Sequence, residues 1–305
     1  MPPKSKIPHP IQYQGSKRNL APMILRYFPE NVETLIEPFA GTAAMSIAAA
    51  YQGAARRFVL NDLNKPLLDL LHLIIENPAH IADAYEAIWQ EQLTDSIGHY
   101  YLVREEFNRT YDCKRFLYLL ARCAKGAVRY NNEGYMNQSP DKRRKGTLPQ
   151  TMRKNIHGVS DLLKGKCRFS ATDYKDVLKT VSPNDLVYMD PPYQGVCGDK
   201  DARYFSGINH AEFIEQLAGL NAQGISYLVS YDGKTGAKQY GEKLPDFLHL
   251  ECIELDAGRS TQATLLGKSE TTVESLYISP ALSQRLSHIP AKPSVNLDLV
   301  EFCYA

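Results

Sequence analysis

Cysteine is sparse in this chain. Six lie among its 305 residues, at 113, 123, 167, 197, 252 and 303, and none fall at the spacing of a paired zinc-ligand motif. His-x-x-x-His is also missing. That pattern predicts reduced thiols and no structural metal. Long apolar runs are lacking too. None approaches the roughly 20 residues that a membrane helix needs, and Met1 to Pro10 has no apolar core of a signal peptide. The expectation is a soluble, cytoplasmic protein with no membrane partner. Neither G-x-G-x-x-G nor G-x-x-x-x-G-K-[ST] occurs, which disfavours a nicotinamide enzyme and a P-loop.

The composition is otherwise that of a globular protein, 44% hydrophobic and 23% charged, enough for one sizeable core and a second small one. The net charge of +1 conceals an asymmetry. Residues 113–168 carry fourteen Lys or Arg against Glu133, Asp141 and Asp161, a local balance of +11, so the remainder stands at −10. A segment of this kind is either a surface that faces a polyanion or a solvated basic loop around Lys142-Arg143-Arg144-Lys145.

Strand and helix patterns alternate along most of the chain. Residues 17–28 place Leu20, Ile24, Leu25 and Phe28 at helical spacing. Thr34 to Glu37 reads as a buried strand, Ala43 to Tyr51 as a helix, Arg57 to Leu60 as a second strand and Pro66 to Glu76 as a second helix. Residues 78–128 are helical in pattern, and 129–158 are polar, basic and loop-like. Strand character returns at Cys167 to Ser170, followed by a helix over Asp173 to Thr180, a strand over 185–189, a helix from His210 to Leu220 and a strand from Ile225 to Ser230. Two late strands, 247–255 and 271–278, read as antiparallel. The predicted fold class is α/β: a Rossmann-like, mostly parallel twisted sheet with helices on both faces. A mainly helical segment interrupts the alternation and reads as an inserted domain.

The most informative residues are Asp190-Pro191-Pro192-Tyr193, which follow the apolar run Leu186-Val187-Tyr188-Met189. An acid and two prolines stop the sheet and hold a carboxylate at its rim, where open α/β sheets bind ligands. A short acid, a stiff kink and an aromatic ring suit a flat substrate carrying an amino group. The plainer alternative is a proline turn with the tyrosine packed inside. Three other strand ends carry acids. Glu37 precedes the turn Pro38-Phe39-Ala40-Gly41-Thr42, whose glycine lets a ligand approach the backbone; it is a site residue or a simple strand-end acid. Asp62 either accepts hydrogen bonds from ribose hydroxyls or caps the next helix. Asp173 either binds an adenine amino group or caps the helix that begins at Tyr174.

Taken together, Tyr13-Gln14-Gly15-Ser16-Lys17, Glu37-Pro38-Phe39-Ala40-Gly41, Asn61-Asp62-Leu63-Asn64, Asp173-Tyr174 and Asp190-Pro191-Pro192-Tyr193 resemble, in that order, the DNA adenine methyltransferases of the Dam type. The likeness covers about residues 10 to 280. It implies S-adenosyl-L-methionine as cofactor and the exocyclic amine of adenine in double-stranded DNA as methyl acceptor, with the target base flipped out. It implies a catalytic domain of residues 1–63 and 166–305, and a target-recognition domain of residues 64–165. Asp190, Pro191, Pro192 and Tyr193 would be catalytic. Tyr13, Lys17, Glu37, Phe39, Gly41, Asp62, Asp173 and Asp190 would bind cofactor. Arg129, Tyr130, Asn131 and Asn137 would form a short DNA-touching hairpin with Glu133-Gly134-Tyr135-Met136, and Lys142, Arg143 and Arg144 would hold phosphates. Nucleoid association and a cognate restriction endonuclease are further implications. Two departures stand out: the run before Lys17 has one glycine where the family usually has two, and Gly41 is followed by Thr42 rather than by a second glycine.

The chemistry follows from the acceptor. An adenine amine is a poor nucleophile because its lone pair is delocalised into the ring. Asp190 and the Pro191 carbonyl, by accepting its two hydrogens, would pull the nitrogen toward tetrahedral geometry. Tyr193 would stack on the flipped base. Three rivals stay open on these residues: a methyltransferase for cytosine's amine, one acting on RNA or a protein amide, and a DNA-binding relative that has lost catalysis.

Overall fold

A computed structural model of the chain describes residues 6–126, 128–131, 133–192, 208–235, 238–240, 242–259 and 271–287. Its strands form one eight-stranded sheet. β1 (Val32–Glu37), β2 (Ala55–Asn61), β3 (Cys167–Ser170), β4 (Leu186–Met189) and β5 (Tyr227–Thr235) run parallel. β6 (Lys238–Tyr240), β7 (Glu251–Arg259) and β8 (Thr271–Ile278) are antiparallel additions; β7 and β8 answer to the two late strands expected from the sequence, and β6 was not expected. The spatial order is β3-β2-β1-β4-β5-β8-β7, with β6 on β5. Successive parallel strands step one way from β1 and the other way from β4. Their connections therefore part between β1 and β4, and a crevice opens beyond the carboxyl ends of these two strands.

Helices cover both faces. α1 (Ala21–Ile24), α2 (Ala44–Gln52), α3 (Lys65–Glu76), α4 (Pro78–Glu91), α5 (Ser96–Thr110), α6 (Cys113–Arg122) and α7 (Pro149–Leu163) gather on one side; α8 (Tyr174–Leu178) and α9 (His210–Ala222) lie on the other. Among the described residues a further helix, α10 (Pro280–Ser287), follows β8 and has no counterpart in the sequence reading. Period-two alternation along each strand feeds both layers. In β4, Leu186 and Tyr188 point into the first core while Val187 and Met189 point into the second. Because β4 is buried on both faces, its sequence is a continuous apolar run rather than an alternating one.

The helices α3 to α7 lie between β2 and β3 in the chain. Their buried residues, including Ile74, Tyr85, Phe107, Phe116, Tyr118 and Met152, belong to the same cluster as Leu35 and Leu60 of the sheet. Within this region the structure differs from the sequence reading. Residues 149–158, read as loop, form most of α7, which buries Met152, Ile156, Val159 and Leu163. Arg153 and Lys154 sit on its outer side and masked the period. Gly158 of α7 faces Pro8: a Cβ there would come within 3.0 Å of the proline ring, so glycine is what lets the amino-terminal segment lie against this helix. Residues 17–28 bury the expected apolar side chains, but Pro22 helps break them into two 3-10 turns around the short α1. No described helix is long and apolar enough to cross a membrane.

Candidate active site

Side chains at the ends of β1, β2 and β3 are bolted to one another before any ligand is considered. Asn61, the last residue of β2, donates from Nδ2 to the Pro38 carbonyl at 2.9 Å and to the Thr172 carbonyl at 3.0 Å, and its Oδ1 accepts from the Ser170 hydroxyl and the Thr172 N–H. Asp62 then accepts from the Gly41 N–H through Oδ2 and from the Asn64 N–H through Oδ1, each at 2.8 Å. Burial pushes the Asp62 carboxyl above its ordinary value, and these two backbone donors offset part of that shift. Gly41 adopts φ +50°, a left-handed conformation that an L side chain rarely takes.

Glu37 ends β1 and is buried. Its Oε1 accepts the Ser46 N–H of α2 at 2.8 Å. Loss of hydration raises the carboxyl to about 7, with the neighbouring Asp190 charge acting in the same direction. On the opposite side of the sheet the Phe39 ring lies 5.0 Å from that of Tyr174 and 6.4 Å from that of Phe213, an aromatic wall. Asp173 caps α8 by accepting the Lys175 N–H at 2.8 Å and keeps its carboxylate half-exposed.

Asp190 follows β4. Lys17 Nζ stands 3.1 Å from its Oδ1 and, at the same time, 3.0 Å from Glu274 Oε2 of β8. Lys17 is only 6% exposed, so this bridge is shielded from solvent. Pro191 is buried and Pro192 partly so. Beneath them the Tyr188 hydroxyl and Ser230 Oγ share a buried hydrogen bond of 2.9 Å. Tyr13 precedes a backbone tie from the Gln14 N–H to the Gly126 carbonyl, 2.9 Å long, which pins the amino-terminal segment across the crevice.

All these ends open onto one cleft of about 530 Å³, the size of a small-molecule site. Tyr13, Lys17, Glu37, Phe39, Gly41, Asp62, Asp173 and Asp190, expected from sequence to meet a cofactor, all line it, together with Pro191 and Pro192. Tyr193 lies outside the described residues. Tyr188, Asn64, Glu212 and Glu274 also line the cleft and were not anticipated. A charged residue within the otherwise strand-like run 271–278 was the one available signal for Glu274. Among the described residues, six carboxyl groups line the cleft (Glu37, Asp62, Asp173, Asp190, Glu212 and Glu274) against two ammonium groups, Lys17 and Lys175.

The expected hairpin forms. Asn131 N–H donates to the Tyr135 carbonyl at 2.8 Å and Asn137 N–H to the Arg129 carbonyl at 2.9 Å, with Tyr130 bridged to Met136. Alternation leaves Arg129, Asn131, Tyr135 and Asn137 exposed and turns Tyr130 and Met136 inward. Tyr130 thus sits on the buried face. Its hydroxyl accepts from Asn64 Nδ2 at 3.4 Å, and burial raises it to about 12. The basic run Lys142, Arg143, Arg144 and Lys145 is exposed, but its backbone is fixed from below. Buried Arg122 donates to the carbonyls of Asp141 and Arg144, while Trp89 Nε1 and Gln92 Nε2 donate to that of Lys145. Arg144 also pairs with Asp141 at 2.8 Å. Its side chain is therefore already engaged, whereas its three neighbours project from a rigid turn.

The model of the family described as D12 class N6 adenine-specific DNA methyltransferase matches residues 13–255. The DNA N-6-adenine-methyltransferase of Escherichia phage P1 is 26% identical over 240 residues, 75% of this chain and 30% of that protein. The DNA adenine methylase of Serratia marcescens is 27% identical over 188 residues, 60% of this chain and 66% of that one. The retron Ec67 DNA adenine methylase of Escherichia coli is 26% identical over 230 residues, 72% of this chain and 75% of its own length. The chain spans less than two thirds of the first two of these relatives. With most of its length on the family model, the chain belongs to the D12 class N6 adenine-specific DNA methyltransferase family.

Proposed function

We propose that this protein transfers a methyl group from S-adenosyl-L-methionine to the exocyclic amine of adenine in double-stranded DNA. The observation that carries the proposal is the position of Asp190. It stands at the point where the sheet order reverses, in the same cleft as Asp62 and Asp173, with its carboxylate fixed by Lys17.

The cleft fits the cofactor by charge and shape. An excess of carboxylates suits a ligand with two positive centres, a sulfonium and an ammonium, and one carboxylate. The aromatic wall of Phe39 and Tyr174 suits a purine ring. Each Asp62 oxygen has one backbone donor and room for another, since an ionised carboxylate offers about four lone-pair sites. That leaves capacity for two ribose hydroxyls. Asp173, half-exposed, is the acceptor for the adenine amine of the cofactor, and Tyr13 closes the site from the amino-terminal segment. When bound, S-adenosylmethionine supplies an electrophilic methyl group on a positively charged sulfur.

The residues of the chain prepare the acceptor. Asp190 and the Pro191 carbonyl take the two hydrogens of the target amine and weaken its conjugation with the ring. Proline fixes φ, so the direction of that carbonyl is set before the base arrives. This is orientation combined with preorganised electrostatics, and it needs no strong base, because the nitrogen becomes acidic once methylated and sheds its surplus proton to solvent. A stacked adenine cannot enter the cleft, so the base must leave the helix. The hairpin 129–137 and the basic turn 142–145 supply the DNA surface, within a target-recognition segment of residues 64–165. Arg129, Asn131 and Asn137 are its candidates for base edges, and Lys142, Arg143 and Arg144 for phosphates.

Nucleoside mass spectrometry of duplex DNA incubated with the protein and cofactor tests the proposal, with RNA as a competing substrate. N6-methyladenine in the DNA is expected. Methylation confined to cytosine or to RNA, or no transfer at all, would reject it.

A further inference from the structure

Glu274 is not part of any segment that carried the family resemblance, yet it holds one of the groups that fix Asp190. Three features place it there. Leu276 and Ile278 of β8 point into the same core as Leu186 and Tyr188 of β4, so period two sets Glu274 on the face that also bears Asp190. The register between β5 and β8 shifts between Ser230 and Gly233, which re-aims side chains locally. At the shift Gly233 pairs with Glu274, and a Cβ on Gly233 would lie 2.6 Å from the Val273 carbonyl oxygen. A glycine is thus required for β8 to approach this closely. The outcome is the bridge already described: a nearly buried Lys17 ammonium shared between Asp190 at 3.1 Å and Glu274 at 3.0 Å.

We infer that Glu274 is a positioning residue for methyl transfer, acting on Asp190 through Lys17. The inference rests on the function proposed above. A lysine paired with Asp190 alone would neutralise it, and a neutralised carboxylate is a weaker acceptor for the hydrogens of an uncharged amine. Glu274 takes a share of the same ammonium. The three groups together then carry a charge of −1, which keeps Asp190 a strong acceptor and suits a cationic sulfur close by. The arrangement also holds Lys17 from two sides, which fixes the direction from which Asp190 Oδ1 is bound.

The test compares Glu274→Gln and Glu274→Asp with the unmodified protein in single-turnover methyl transfer to duplex DNA, with cofactor affinity measured separately by calorimetry and folding by thermal melting. Gln has the shape of Glu but no charge, and Glu274 is 18% exposed, so the folded state should persist. We expect Glu274→Gln to lose between about ten- and a hundredfold in rate, as for a misplaced catalytic group, with cofactor affinity within about threefold of the unmodified protein. Glu274→Asp, which keeps the charge, should recover most of the rate. A Gln variant that turns over within about twofold of the unmodified protein, a loss confined to cofactor affinity, or an Asp variant as slow as the Gln one would each overturn the inference. An unmodified protein that transfers no methyl group would sink the parent reading, and this inference with it; an active protein indifferent to Glu274→Gln sinks this inference alone.

Discussion

The Gly41 amide donates to Asp62 Oδ2 at 2.8 Å, so the turn after β1 and the end of β2 are joined through the very carboxylate that faces the cleft. Replacing Asp62 by Asn puts an N–H where one of two backbone donors expects an acceptor, Gly41 or Asn64. It also removes the charge that would hold the ribose hydroxyls. Hydrogen bonds to a charged group are worth about 1.5–3 kcal/mol. Asp62→Asn should therefore weaken cofactor binding by at least about tenfold, measured by calorimetry. Unchanged affinity would place the ribose elsewhere.

Glu37 predicts a pH dependence of stability. A carboxyl whose folded value is raised keeps a proton that the unfolded chain has already shed. Its stabilising contribution is complete below its ordinary value of 4.5 and is lost as pH rises through about 7. The full effect is about 3 kcal/mol. Urea unfolding at about pH 5 and about pH 8 should show the native protein losing stability between them, and Glu37→Gln should flatten that loss. Equal slopes for both proteins would mean that Glu37 is ionised at both values.

Arg122 holds the basic turn from within. It is 1% exposed and donates to the carbonyls of Asp141, Arg144 and Ser96. Arg122→Gln would leave several of these acceptors buried without donors, at a cost of about 2–3 kcal/mol. Thermal melting should show that loss. DNA affinity at a temperature where the variant is folded should also fall, because the turn loses its fixed shape. A variant as stable as the native protein would mean that water replaces the guanidinium.

Salt tests the surface itself. Lys142, Arg143 and Lys145 project from the turn, while Arg144 is occupied by Asp141. Changing the first three to Gln should lower the magnitude of the slope of log K against log salt by about 0.9 for each phosphate left without its cation. An unchanged slope would show that DNA passes elsewhere.

Much of the site was legible because it sits at strand ends. A carboxylate after an apolar run, followed by proline or by a turn, marks the rim of a sheet whatever the rest of the chain does. Asp62, Asp173 and Asp190 were found in that way, and Glu37 with them. Asp62 and Asp173, each with a capping alternative, show the limit of that logic: Asp173 does cap α8, whereas α3 is capped by Asn64 and not by Asp62, and both acids line the cleft. Glu274 was hidden because its partner Lys17 is more than 250 residues away, and no local pattern records an antiparallel pairing shifted by one bulge. Helix α7 was hidden by its own outer face, where Arg153 and Lys154 fall between the buried Met152 and Ile156. Tyr130 was read with its neighbours as one DNA-touching group, whereas period two in the hairpin sends it inward and Arg129 and Asn131 outward.

The most direct test concerns Asp190. Single-turnover methyl transfer by Asp190→Asn should be slower than that of the native protein by about 10²- to 10³-fold, the loss typical of a missing preorganised electrostatic group. Its melting temperature should fall only modestly, since Asp190 lies beyond the strand end and Lys17 keeps Glu274 as a partner. N6-methyladenine formed by the variant at the native rate would contradict the account.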